Sequence, residues 1–116
     1  MAFKLAIAPI IEFELPVRVN DGGRMRTFNM RVQGKRLSHE ELAEKTKAMK
    51  DREFLLEVIV GWSGQKLVLD DETGEPAAFS AEALDAMLSG IVGLEHQMAR
   101  AYVEACWDRR AAAAGN

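Results

Sequence analysis

The residues best placed for chemistry lie in Gly61-Trp62-Ser63-Gly64-Gln65 and in the acidic run from Asp70 to Glu75. A serine between glycines invites a hydrolase, whose nucleophile elbow reads G-x-S-x-G on a strand-to-helix turn. Here the fifth position is Gln65, and the apolar run ahead of the serine reads as helix. Motif and setting both fail. Ser63 is therefore expected in a helix C-cap, with Trp62 packed into the core. Asp70, Glu72 and Glu75 imitate the start of a calcium loop. Such a loop needs a bidentate Glu at its twelfth position, where Ala81 stands, and its glycine is misplaced.

The remaining candidates are sparse. His39 and His96 sit on polar phases of different segments, without the HxxxH or CxxC spacing of a zinc site. Cys106 has no local signature of an activated nucleophile and reads as a small, at least half-buried hydrophobe. Gly22-Gly23 and the Gly90/Gly93 pair lack both the spacing and the lysine of a phosphate-cradling loop. No catalytic, cofactor-binding or metal-binding residue is expected, and the protein is not expected to be an enzyme.

Composition bounds the rest. A chain of 116 residues is one domain, 1–116, and its 48% apolar and 28% charged residues are those of a globular protein. A single cysteine excludes an internal disulfide and fits a reducing compartment. The start, MAFKLAIAPII, carries one Lys4, a short apolar run broken by Pro9, then Glu12 and Glu14; it fails as a signal peptide. No stretch approaches the ~20 apolar residues that span a bilayer, so a cytoplasmic protein is expected. A net charge of −3 speaks against nucleic-acid binding. The charge is uneven, however. Arg18, Arg24, Arg26, Arg31, Lys35 and Arg36 face one anion, Asp21, while Asp70 to Asp85 holds six anions and no cation. Two solvated faces are the plainer reading, complementary patches for assembly the sharper one.

The elements that would position these residues make an α+β fold: an N-terminal β-hairpin over about 12–33, then three or four helices. Phe13, Leu15, Val17 and Val19 alternate with polar residues, the period of a half-buried strand. Pro16 falls on the polar phase and places this strand at a sheet edge. Asn20-Asp21-Gly22-Gly23 is a turn signal. Phe28, Met30 and Val32 form the return strand, and the out-of-phase Met25 suggests a bulge near Arg26. The leading segment, Phe3 to Ile11, reads either as a short extra strand or as an arm.

Ser38-His39-Glu40-Glu41 is a capping box opening a solvated helix, with Asp51 a break or fresh cap. From Phe54 to Trp62 the pattern is apolar nearly all round, the mark of a buried helix, ended by Gly61 and Gly64. Lys66 to Leu69 suggests a short strand, and Asp70 to Pro76 a loop. Ser80 caps a helix with Leu84, Met87, Leu88 and Ile91 on one face. A last helix after Gly93 carries Leu94, Met98, Ala101, Tyr102 and Ala105, then a frayed tail, Ala111 to Asn116.

In order, these segments resemble the small tail assembly chaperones of long, non-contractile-tailed (lambda-like) phages and prophages. The likeness runs through MAFKLA, the hairpin with its Asp-Gly-Gly turn, and the helix start Leu37 to Leu42. Its most specific part is the succession Val60-Gly61-Trp62-Ser63-Gly64, Asp71 to Pro76 and Phe79 to Leu84, followed by Ala101-Tyr102. The resemblance implies a non-catalytic protein of the bacterial host cytoplasm. Such a protein binds the tape-measure protein, keeps it soluble, and helps recruit the tail tube protein, but is absent from the finished virion. It also implies, in many relatives, a longer form made by ribosomal frameshifting. The tail here, Ala111 to Asn116, holds less lysine than that family leads one to expect. A homo-oligomer is expected, with six methionines as an adaptable lining. The alternative is a structural tail component, terminator- or connector-like, that stays in the particle.

Overall fold

The structure, a computed structural model, describes residues 2–107. The Arg109-Arg110 pair and the alanine-rich tail lie outside the described residues, as does Met1. β1 (Ile10–Asp21) and β2 (Arg24–Lys35) pair antiparallel in unbroken register from Ile10↔Lys35 to Asp21↔Arg24. Gly22 and Gly23 take positive φ, 63° and 96°, and the Asn20 side chain accepts a 2.8 Å hydrogen bond from the Gly23 N–H. The bulge expected near Arg26 does not form. The phase error at Met25 is absorbed by leaving that side chain 57% exposed at the end of the hairpin.

β1 is an edge strand, as Pro16 requires. The Pro16 carbonyl, turned away from β2, accepts a 2.5 Å bond from Gln97 Nε2.

The largest correction concerns the run from Phe54 to Trp62. The helix ends at Val58, and Ile59–Ser63 forms a third strand, β3, ordered β1-β2-β3 in the sheet. Periodicity alone cannot separate a short apolar strand from a buried helix. Two forces decide here: Val58, Ile59 and Val60 are all β-branched, and the open edge of β2 needs backbone partners. β3 pairs Ile59 with Gly34, Gly61 with Gln33, Trp62 with Val32 and Ser63 with Arg31. The register shifts between Gln33 and Gly34, which leaves Val60 as the extra residue, 38% exposed. Gly61 does not end a helix. It makes room, because a Cβ there would lie 2.5 Å from Gln33 Oε1. Gly64, at φ 72°, turns the chain out of β3.

The helices follow the expected caps more closely. α1 (His39–Ala48) opens on the capping box, with Ser38 Oγ accepting from Glu41 N–H at 3.1 Å and Glu41 accepting from Ser38 N–H at 3.0 Å. Those bonds hold the Glu41 carboxyl below its usual range. The helix buries no residue, the solvated helix expected from the sequence. The chain breaks at Met49-Lys50, and α2 (Asp51–Val58) starts from Lys50 as N-cap rather than Asp51. Lys66 to Leu69 forms no strand, only an isolated bridge between Leu69 and Pro76. Ser80 Oγ accepts from Ala83 N–H at 3.0 Å to begin α3 (Ala81–Gly90), and α4 (Leu94–Trp107) completes the fold.

The core lies between one face of the sheet and the helices. Leu15, Val17, Met30 and Val32 meet Leu55, Val58, Leu84, Leu94, Met98 and Tyr102 there. Tyr102 holds the centre. Its ring meets Phe13 and Phe54 edge-on at 6.3 and 5.4 Å, and its hydroxyl donates to the Lys35 carbonyl at 2.6 Å. The opposite sheet face is polar, with Arg31 bridging Glu12 and Glu14. Met30, Met87 and Met98 are ordinary core residues, so the methionines are not gathered into one lining.

Candidate functional site

The structure gathers the segments on which the sequence reading turned. Trp62, on β3, is half-buried, and its Nε1–H donates to the Ala77 carbonyl at 3.2 Å. The ring meets Phe79 edge-on at 5.2 Å. Beside it Gln65, only 4% exposed, satisfies both ends of its amide. Its Oε1 accepts from Leu67 N–H and Val68 N–H at 3.0 and 2.9 Å, and its Nε2 donates to the Val68 and Ala77 carbonyls at 2.8 and 3.0 Å. Four backbone groups of residues 67–77 therefore converge on one side chain. Trp62 and Gln65 clasp the long loop to β3 and set the distance to the Ser80 cap. Gln65 escaped the sequence reading because a single amide after a turn has no periodicity; only its place between Gly64 and the apolar Leu67-Val68 hinted at burial.

Ser63 lies in a strand, not in a helix cap, and is exposed. The depression beside it is lined by Glu14, Asn29, Met30, Arg31 and Gly64, with Glu14 engaged by Arg31 at 3.1 Å. Neither histidine is there. His39 meets Trp107 edge-on at 6.1 Å, and His96 Nδ1 lies 3.4 Å from Asp51.

The acidic loop is occupied with its own backbone. Asp70 Oδ1 accepts from Glu72 N–H and Thr73 N–H at 2.8 and 3.2 Å, and Asp70 N–H donates to the Glu75 carbonyl at 2.7 Å. Gly74, at φ 74°, closes the turn. Among the described residues no group of three or more His, Cys, Asp or Glu side chains is arranged to hold a metal ion.

The basic and acidic stretches do not neutralise each other. Arg31 and Arg26 pair within the hairpin, with Glu12, Glu14 and Asp21, while Asp85 meets Arg52 of α2 at 3.7 Å. Cys106 is half-buried against Tyr102, and burial pushes its thiol pKa up. It should alkylate slowly at neutral pH in the native protein and at the rate of a free thiol once unfolded. Equal rates, followed by mass spectrometry, would contradict that placement.

A cleft of about 350 Å³ lies between α1, α2 and α4, with Met49, Phe54, Ala99 and Val103 in its lining and Asp51, His96, Arg100 and Glu104 around them. Its exposed lining is more apolar than polar. Among the described residues no helix is long and apolar enough to cross a membrane. No family model, curated protein or solved structure matches the chain.

Proposed function

We propose that this chain is a non-catalytic tail assembly chaperone of a long, non-contractile-tailed phage or prophage, acting in the bacterial cytoplasm. It binds the tape-measure protein, keeps that long helical chain soluble, and helps recruit the tail tube protein. The observation that carries the reading is the ordered succession VGWSG, DETGEP and FSAEAL, with the hairpin before it and Ala101-Tyr102 after it. Physical features support it without deciding it. Ser63 has no histidine beside it, and the acids of the loop serve the loop's own turns. The apolar cleft between α1, α2 and α4 suits the side of an amphipathic helix, held by many weak contacts rather than one reactive atom.

The second reading, a terminator- or connector-like tail component, differs in one accountable way: it stays in the particle. Mass spectrometry of purified virions should find tube and tape-measure proteins without this chain. Stoichiometric recovery of the chain from virions would favour the structural component.

A further inference from the structure

We infer that the N-terminal arm, residues 3–9, is a β-strand lacking a partner in its own chain, which pairs with the open edge of β1 in a second copy across a two-fold axis at Pro9. This inference does not rest on the chaperone reading.

Every odd-numbered residue from Phe3 to Val19 is apolar, Pro9 included. Within β1 this phase faces the helices, with Ile11, Leu15 and Val17 buried. In the arm the same phase lies bare: Phe3, Leu5 and Ile7 are 88, 69 and 56% exposed. The cause is the length of β2. Its last pair is Lys35↔Ile10, and after Arg36 N–H reaches the Pro9 carbonyl at 2.8 Å the chain departs toward α1. The arm keeps a strand pattern after its neighbour has ended.

The receiving edge is defined by the same alternation. The Pro9 carbonyl faces β2 and the Pro16 carbonyl faces away from it, so backbone groups of even-numbered residues point to the open side. Ile10, Glu12 and Glu14 therefore present N–H and C=O groups there. Pairing must stop at Pro16, which has no N–H and whose carbonyl Gln97 already occupies.

A two-fold axis at Pro9 brings Ala8, Ala6 and Lys4 of one copy opposite Ile10, Glu12 and Glu14 of the other. All three arm residues carry an N–H, and on their own even phase they point it at the edge. Phe3, Leu5 and Ile7 then lie beside Leu15, Phe13 and Ile11, extending the apolar face. On the polar face Lys4 meets Glu14, whose side chain is 74% exposed. The arm thus reaches as far as the edge stays open, and the charges match. Both arms engage at once, so the contact is isologous and closed. In the single chain the arm bends at Ala6-Ile7 and Arg36 Nε holds the Ala8 carbonyl at 2.9 Å. Straightening exchanges that bond for one to the second copy.

Sedimentation equilibrium of the full chain should show a dimer. Ala6→Pro removes one arm N–H per copy, in a segment the monomer's core does not use. It should raise the dimer dissociation constant roughly tenfold or more, with circular dichroism and Tm unchanged. In a Cys106→Ala background, Pro9→Cys lies on the axis and should form a disulfide-linked dimer under mild oxidation, whereas Ile7→Cys should link far less. A monomer at all concentrations, a dimer indifferent to Ala6→Pro, or equal linking by the two cysteines would each overturn the proposal.

Discussion

Tyr102→Ala is expected to lower the unfolding free energy by about 3–5 kcal/mol, the range for emptying a large aromatic site in a core. Tyr102 is fully buried, and its ring joins the three parts of the fold: Phe13 on β1, Gly34 on β2 and Phe54 on α2. Removing it leaves a cavity bounded by strands and helices that cannot easily collapse together. Tyr102→Phe should cost far less, about 1–2 kcal/mol, because the ring stays and what is lost is the hydroxyl, with its bond to the Lys35 carbonyl and its contact with the Cys106 thiol.

Gly34 makes the account sharper. A Cβ there would lie 2.7 Å from the Tyr102 ring, so Gly34→Ala should be clearly destabilising in the native chain. In the Tyr102→Ala background that same methyl group enters the vacated space, and its cost should largely vanish. Chemical denaturation of the four proteins gives the coupling directly. Additive effects would mean that the ring and the β2 backbone are not in contact.

Gln65→Ala is expected to cost about 2–6 kcal/mol, since the Leu67 and Val68 N–H groups lose their acceptor at about 1–3 kcal/mol each, while the Val68 and Ala77 carbonyls keep donors in Ala77 N–H and Trp62 Nε1. Limited proteolysis should then cut between Leu67 and Phe79, where the loop comes away from Trp62. Gln65→Glu separates the two halves of the amide. The carboxylate still accepts from Leu67 and Val68, but it faces the Val68 and Ala77 carbonyls with no proton to donate. Burial and those carbonyls raise its folded pKa, so the proton-binding native state gains stability as pH falls toward the carboxylic acid range. The variant should therefore lose less stability near pH 4 than at pH 7. A loss equal at both pH values would contradict the burial and contacts assigned to Gln65.

The elements most legible in the sequence were those fixed by local chemistry. Asn20 to Gly23 specify a tight turn, Ser38 with Glu41 a capping box, and Ser80 an N-cap, each through bonds closed within a few residues. Pro16 announced an edge because a missing donor cannot be hidden in a ladder. β3 was illegible for the opposite reason. Ile59 to Ser63 becomes a strand only when the edge of β2, 25 residues earlier at the Ile59↔Gly34 pair and 32 at the Ser63↔Arg31 pair, lies beside it. No local pattern encodes a partner so distant.

The site divides the same way. Asp70 to Pro76 reads as a turn-rich loop because Asp, Thr and Gly satisfy backbone groups two or three residues away. The clasp of Trp62 and Gln65 on Ala77 joins residues far apart in sequence, so neither spacing nor hydropathy marks it. Setting Ser63 aside as a nucleophile stands on the incomplete motif and on the lack of a histidine beside it, not on its setting, which is a strand and not the helix that the apolar run suggested.

The central claim is that this chain holds a long helical client in solution. Co-expression with a tape-measure protein from the same genome tests that claim most directly, by the fraction of tape-measure protein that stays soluble and the complex recovered with a tagged chain. The account predicts a tape-measure protein that is largely insoluble alone and becomes soluble and co-purifies when this chain is present. An unchanged soluble fraction, with no complex recovered, would contradict it.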